Sequence, residues 1–143
     1  EDQQRCRLGL IRRVGVASGG ELSRISLAIQ VVTAQIDSVP SCIYDEVDIG
    51  IGGRIAEIVG SKLRLLGSER QILCITHLPQ VAVQGHEHLH VTKTDDAEVE
   101  IFPLDRALRT DEIARMLGGI EITQQTLAHA EEMLQRVTDS SVR

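Results

Sequence analysis

Apolar residues recur at helical spacing in the first third of the chain. They predict one helix whose buried stripe is made of Leu22, Ile25, Ile29, Val32 and Ile36. Ser18-Gly19-Gly20-Glu21 stands directly before this stripe and matches the Ser-x-x-Glu capping box, so the helix is predicted to begin there. Residues 1–16 mix arginines with leucines without a clear period, which predicts only a lead-in strand or an irregular terminus.

Two short apolar runs, 41–44 and 71–75, predict buried strands. A glycine-rich turn at 50–53 leads into a helix between them, which is predicted to end near Gly67 and to bury Ile55, Ile58, Val59, Leu63 and Leu66. A strand, a helix and a second strand form a βαβ unit, in which the two strands run parallel. We therefore expect an α/β fold with a parallel sheet core and flanking helices.

The second half of the chain predicts a hairpin and further helices. Residues 87–93 and 97–102 alternate like paired strands, with Asp95-Asp96 at the turn. The predicted helices are 79–83, 110–117 and 123–137; Gly118-Gly119 ends the second and Thr123 caps the third.

Polar side chains follow both predicted strands of the βαβ unit. Asp45-Glu46 comes directly after the first strand, and His77 comes after the second. Because the carboxyl ends of parallel strands meet at one edge, where open α/β sheets bind ligands, these residues are expected to share a crevice. A carboxylate there can hold Mg²⁺, a second can activate a water, and a histidine can contact a phosphate oxygen. Solvated acids and an ordinary histidine at a strand end are the alternative interpretation.

The glycines after Ser18 are a second candidate site. A helix start with little side-chain bulk leaves backbone N–H groups free to approach an anion, and the helix dipole favours negative charge there. By itself, this pattern is more often a simple capping box.

Composition narrows the class of protein. The 143 residues carry a formal net charge of −6, which argues against a generally basic nucleic-acid-binding surface. One Phe, one Tyr and no Trp leave little on which bases could stack. Three cysteines without metal-ligand spacing suit a reducing cytoplasm, and no apolar stretch has membrane-spanning length. A soluble cytoplasmic protein is expected.

The order of these motifs resembles the C-terminal half of an ABC-type ATPase. Ser18 to Arg24 is similar to the ABC signature, Asp45-Glu46 to the Walker B pair, Asp48 to Gly53 to the D-loop, and His77 to the switch histidine. Within that superfamily the details resemble the RecN family, SMC-like ATPases of double-strand-break repair. The stretches that carry this resemblance are Ala17 to Arg24, Asp45 to Gly53, Thr76 to Ala82 and Glu112 to Gly119.

The resemblance implies a role for each motif. Two heads of the family enclose two ATP molecules, with Asp45 holding Mg²⁺ and Glu46 positioning the hydrolytic water. His77 then contacts the γ-phosphate region, and Asp48 in the D-loop communicates across the dimer. The residues implied to grip the γ-phosphate of the opposing head are Ser18, Gly19, Gly20 and Glu21. Arg24 either supports that interface or is a solvated helix residue.

The phosphate-binding loop of such ATPases is missing from these 143 residues. It requires Gly-x-x-x-x-Gly-Lys-[Ser/Thr], whereas Lys62 follows Ser61 and Lys93 follows Thr92. The resemblance thus implies a C-terminal lobe at 16–143 after a poorly matched lead-in at 1–15. Its partners would be the N-terminal lobe, a second head in an ATP-dependent homodimer and, through the full nucleoid-associated protein, DNA. The expected enzyme is half of a Mg²⁺-dependent ATPase that is inactive alone. The alternatives are a non-catalytic docking lobe for a partner or DNA, or the head of another SMC-like or ABC ATPase.

Two further groups of residues are weaker candidates. His86, His88 and His90 alternate on a predicted strand, so they would share one face and could bind Zn²⁺. A polar strand face opposite Leu89 and Val91 is the favoured interpretation. Three arginines on the C-terminal helices could contact DNA or a partner helix: Arg109, Arg115 and Arg136. Helical arginines on an acidic domain are more often solvated or paired internally.

Overall fold

The computed structural model describes residues 39–45, 48, 50–94, 97–119 and 121–140. These residues form the strands β1 (Ser41–Tyr44), β2 (Gln71–Cys74), β3 (Leu89–Lys93) and β4 (Val99–Pro103), and the helices α1 (Gly53–Leu66), α2 (Pro79–Ala82), α3 (Arg106–Gly118) and α4 (Gln124–Ser140). The predicted lead-in, the helix after Ser18 and the turn at Asp95-Asp96 lie outside the described residues. Every other predicted element is present, and its ends either match the prediction or are shifted by up to four residues.

The strands β1 and β2 form the parallel pair that the sequence predicts. Their register pairs Ser41 with Gln71 and Tyr44 with Cys74. The Ile75 amide donates to the Tyr44 carbonyl at 2.8 Å, which extends the pairing to the end of both strands. We call this end, where Asp45 and His77 follow their strands, the carboxyl edge.

Helix α1 packs against β1 and β2 through a narrower face than the sequence predicts. Its buried residues are Ala56, Val59, Gly60, Leu63 and Leu66. The prediction for Ile55 and Ile58 was wrong, because these side chains are 40% and 51% exposed. They lie on a neighbouring stripe of the helix, and the small residues Ala56 and Gly60 take the central contact positions. Apolar spacing alone did not separate the two stripes.

Gly60 allows α1 and α2 to approach closely. A Cβ atom at this position would lie 2.8 Å from Cγ of Gln84, 3.1 Å from the Gln80 carbonyl oxygen and 3.1 Å from Cα of Val81. Two of these three atoms belong to the backbone, which cannot yield as a flexible side chain does. The close approach therefore depends on the absence of a side chain.

We expect Gly60→Ala to lower the free energy of unfolding by about 1–3 kcal/mol, because overpacking outweighs the gain in helix propensity. Urea unfolding measures the change. Ser61→Ala is the matched control on the same helix, since Ser61 is exposed and its hydroxyl donates only to the Ile58 carbonyl at 2.8 Å. Equal or greater stability of Gly60→Ala would contradict the close approach.

A second core forms between α2, α3 and α4. Its buried residues are Ala82, Val83, Ile113, Ala114, Ala130 and Val137. Both long helices have side-chain caps: Asp105 accepts from the Leu108 amide at 2.9 Å, and Thr123 accepts from the Thr126 amide at 3.2 Å. The Thr123 cap confirms the sequence prediction.

The hairpin β3–β4 is antiparallel, and the polar face of β3, opposite Leu89 and Val91, is the one that faces the protein. His90 is half-buried: its ring lies 5.3 Å from that of Phe102, and its Nδ1 lies 3.5 Å from Oε2 of Glu112 on α3. Leu89 and Val91 are instead 50% and 61% exposed. The inward face is polar because α3 offers a carboxylate there, and sequence alternation cannot identify the facing helix.

The three alternating histidines do not share one strand. Strand β3 begins at Leu89, so only His90 belongs to it, and the shared-face prediction for His86 and His88 was wrong. Among the described residues no group of three or more His, Cys, Asp or Glu side chains is arranged to hold a metal ion. The same part of the chain contains no helix long and apolar enough to cross a membrane.

The arginines of the C-terminal helices are paired inside the chain, as the favoured interpretation held. Arg136 pairs with Glu132 at 2.6 Å, and Arg115 pairs with Glu112 at 2.7 Å. The hydrogen bond from Arg115 holds the pKa of Glu112 below its usual value. Arg109 caps the end of α2, where its guanidinium donates to the carbonyls of Ala82, Val83 and Gly85.

Candidate functional site

Asp48 is the one buried charged side chain among the described residues, with 2% of its surface exposed. Burial of a carboxylate is costly unless hydrogen bonds replace its water. One oxygen, Oδ2, accepts from the Thr76 hydroxyl at 2.5 Å and from the His77 backbone amide at 3.0 Å. The carboxylate therefore ties the turn after β1 to the end of β2.

Thr76 extends this network to helix α2. Its hydroxyl donates to Asp48 and accepts from the Leu78 amide at 3.0 Å. Leu78 is the N-cap residue of α2. A change in the position of Asp48 would thus reach the start of the helix through one side chain.

His77 combines a fixed backbone with an accessible ring. Its Nδ1 lies 3.3 Å from Oδ2 of Asp48, while 72% of the side chain is exposed. A carboxylate beside Nδ1 favours the tautomer with the proton on that nitrogen, which leaves Nε2 to meet a ligand. In that tautomer Nε2 accepts a hydrogen bond, for example from a water, and it donates to a phosphate oxygen only when it also carries a proton.

Asp45 lies where the sequence places it, at the carboxyl edge and exposed. Its carboxylate has the chemistry that Mg²⁺ prefers, and its exposure leaves that carboxylate open to an ion. Glu46 lies outside the described residues, as do Ser18, Gly19, Gly20, Glu21 and Arg24. The structure thus brings Asp45, Asp48 and His77 to one edge and leaves the other predicted site residues without a described position.

Cys74 lies at the end of β2 but does not suit nucleophilic chemistry. Burial first, and then the nearby Asp48 carboxylate, raise the pKa of Cys74 to about 11. The thiolate is the reactive form of cysteine, so this side chain stays protonated at neutral pH. Cys74 therefore offers no nucleophile at the carboxyl edge, and the exposed groups there are the His77 ring and the Asp45 side chain.

The role of Thr76 in this site is not predicted by the sequence. Thr76 entered the prediction only as the residue after the second strand and the start of a stretch that resembles RecN, although a hydroxyl beside a histidine at a strand end is a usable signal. Its partner Asp48 is 28 residues away in the chain. Only the parallel pairing of β1 and β2 brings the two together.

Comparison with known proteins gives a consistent result. No family model matches the chain. The DNA repair protein RecN of Vibrio cholerae is 57% identical over 122 residues, which is 83% of this chain and 22% of that protein. RecN of Xylella fastidiosa strain Temecula1 is 52% identical over 127 residues, or 87% of this chain and 23% of that protein. Over more than four-fifths of its own length, this chain is similar in sequence to RecN. RecN of Bacillus subtilis is more distant, at 42% identity over 124 residues.

A solved structure supports the fold. It comes from work on ATP-driven dimerization and DNA-stimulated activation of SMC ATPases, and it superposes with a TM-score of 0.65 at 16% sequence identity. The match covers 76% of this chain and 66% of the other. The chain therefore has the fold of part of an ATPase head, as the order of its motifs predicts. It spans 22% and 23% of the length of the Vibrio and Xylella relatives.

Proposed function

We propose that this chain forms the C-terminal lobe of a RecN-type ATPase head that acts in double-strand-break repair and recombination. Residues 16–143 make up the lobe, and residues 1–15 are its lead-in. The observation that carries the proposal is the buried Asp48 network, which fixes His77 at the same edge as Asp45. An edge built in this way matches the roles expected of a Walker B strand and a switch histidine.

Each residue of the edge has a distinct role in this proposal. Asp45 holds Mg²⁺, which supplies charge stabilisation for the phosphates when bound, and Glu46 positions the hydrolytic water. His77 contacts the γ-phosphate region through the side of the ring that Asp48 leaves exposed. Asp48 couples the conformation of the D-loop to the position of His77, because its carboxylate contacts both the backbone amide and the ring of His77.

The signature segment completes the ATP site of a second head. In this proposal Ser18, Gly19, Gly20 and Glu21 bind the γ-phosphate of the ATP held by the opposing head, so two heads dimerise around two ATP molecules. Phosphoryl transfer relies mainly on the positioning of groups and on charge stabilisation. Because these groups are divided between two heads, ATP is hydrolysed only when the two heads are in contact. DNA acts on this cycle through the full protein.

The N-terminal lobe supplies the lysine-containing phosphate loop that these residues lack. An exposed apolar patch supports a docking role for the sheet: Ile43, Leu73 and Ile75 are 71%, 42% and 57% exposed. Ile43 and Leu73 are register partners on the adjacent strands. Exposed apolar patches of this kind mark contact surfaces. We propose that the N-terminal lobe covers this patch.

We expect the 143-residue chain to show no ATP hydrolysis above background, because no lysine reaches the phosphates. Mixing it with the matching N-terminal lobe of the same protein is expected to restore Mg²⁺-dependent hydrolysis. Phosphate release from ATP measures both states. The N-terminal lobe alone is the control, since it lacks Glu46 and His77.

Robust hydrolysis by the chain alone would contradict the proposed division of the site. Binding of the two lobes without hydrolysis would favour the second candidate, a docking lobe that lacks turnover. The missing phosphate loop is the observation behind that candidate.

A further inference from the structure

A pocket of about 480 Å³ lies between the end of α1, the segment after α2, and the helices α3 and α4. Ligand pockets in proteins commonly have volumes in this range. None of the candidate ATPase residues that the structure describes lines it. Five basic side chains do, and they define what we call the cationic pocket: Arg64, His86, His88, Arg106 and Arg109. Glu87 is the one acidic residue in its wall.

The basic side chains are held in place by the backbone around the pocket. Arg109 donates to the Gly85 carbonyl at 2.6 Å and to the Val83 carbonyl at 3.0 Å. Arg64, from α1, donates to the Gln84 carbonyl at 2.8 Å. Two guanidinium groups from different helices thus converge on one short segment. A chain with a net charge of −6 thus gathers three arginines and two histidines around one pocket, with one acidic residue among them.

Two buried nitrogen atoms of pocket residues have no hydrogen-bond partner within the described part of the chain. They are Nδ1 of His88 and Nε of Arg109. Buried polar atoms in proteins are nearly always satisfied by protein, water or ligand. The Nε–H group of an arginine can only donate, and Nδ1 of a histidine donates when protonated. An acceptor oxygen therefore suits the Arg109 atom, and it suits the His88 atom only in the form that carries a proton on Nδ1.

The titration of the two histidines agrees with an excess of positive charge. Burial first, and then the Arg109 guanidinium, lower the pKa of His88. Burial, followed by Arg64 and Arg109, lowers the pKa of His86. Glu112 acts in the opposite direction on His88 but does not overcome these effects. A bound anion would reverse the electrostatic part of both shifts.

We propose that the cationic pocket binds a phosphate group of an anionic ligand. Arg106 supplies an exposed charge in the lining, and Arg109 and His88 are the lining residues that each have an unpartnered buried nitrogen. The pocket is also lined by apolar side chains, which can contact an organic part of the ligand. They are Val83, Leu104, Leu134 and Val137. This site is separate from the carboxyl edge and does not depend on the ATPase proposal. The phosphate belongs either to a nucleic-acid backbone or to a small phosphorylated compound.

Titration of the 143-residue chain with inorganic pyrophosphate tests the proposal, at constant ionic strength maintained with chloride. Histidine resonances in NMR spectra report the site. We expect saturable shifts of the His86 and His88 signals and a rise in their pKa values. The His129 signal is the internal control, because this exposed residue of α4 does not line the pocket.

Arg106→Gln is expected to weaken pyrophosphate binding about tenfold, the loss expected for one charge-assisted hydrogen bond. Arg106 is exposed and donates to Gln135 at 3.2 Å, so its replacement leaves the core intact. Arg136→Gln is the matched control, since Arg136 is also an exposed helical arginine with a single described partner, Glu132, outside the pocket. Circular dichroism melting verifies that both variants fold.

The site is refuted if His86 and His88 show no saturable shift, or if both variants weaken binding equally. A short DNA duplex added to the pyrophosphate complex then identifies the source of the phosphate. Displacement of pyrophosphate, with the same two histidine signals shifted, assigns the pocket to a nucleic-acid backbone. Retention of pyrophosphate in the presence of duplex assigns it to a small phosphorylated compound.

Discussion

Replacement of Glu46 by glutamine is expected to lower the kcat of ATP hydrolysis by about 10²–10⁴-fold in the head reconstituted from both lobes, the range typical of a lost general base or water-positioning group. Glutamine keeps the shape of the side chain but cannot accept a proton from the attacking water. ATP binding relies on other groups, so ATP-dependent dimers of the head are expected to persist. Steady-state phosphate release and size-exclusion chromatography with ATP measure the two properties.

Glu57→Gln is the matched control for this variant. Glu57 is an exposed residue of α1, so the same change of charge there is expected to leave hydrolysis unchanged. Normal hydrolysis by Glu46→Gln would show that the assigned role is wrong. Loss of both hydrolysis and dimers would instead place Glu46 in ATP binding.

Asp48→Ala is expected to lower the free energy of unfolding by about 3 kcal/mol, because the Thr76 hydroxyl and the His77 amide both lose a charged acceptor. For a chain of 143 residues this corresponds to a fall in Tm of about 10 °C. Asp48→Asn keeps a neutral acceptor in the same place, so a smaller fall is expected. Differential scanning calorimetry distinguishes the two variants.

Asp105→Ala is the control for the Asp48 variants. Asp105 is exposed and accepts from one backbone amide as the cap of α3, so its loss is expected to cost about 1 kcal/mol. If Asp48→Ala is no more destabilising than Asp105→Ala, the buried network does not stabilise the carboxyl edge. In the reconstituted head, a fall in kcat for Asp48→Asn with little loss of stability would support the positioning of His77 by this carboxylate.

The carboxyl edge shows why part of the site was predictable. Buried strands and the helix between them have clear periodic patterns, and a parallel βαβ unit places Asp45 and His77 at the same edge whatever the details of packing. The confirmed pairing of β1 with β2 follows from that topology. Burial of Asp48 was not predictable, because it depends on a partner 28 residues away whose side-chain direction no local pattern specifies.

Hydrophobic periodicity does not predict which faces of the elements are buried. Alternation predicted the hairpin but not which face packs against the protein, since that choice depends on Glu112 of α3. Apolar spacing in α1 likewise overestimated the buried face, because contact with α2 at Gly60 favours small residues. The cationic pocket had no sequence signal, because its basic residues come from three separate segments of the chain.

The sequence by itself determined the α/β class, the order of the elements, the candidate ATPase motifs and the absence of a lysine-containing phosphate loop from these residues. These properties depend on local patterns and on motif order, which do not require a folded chain to be recognised. Only the tertiary structure decided that Asp48 binds Thr76 and His77, that the polar face of β3 lies against α3, and that five basic side chains surround one pocket. Contacts between residues distant in the chain are set by how the elements pack, so no local pattern contains them.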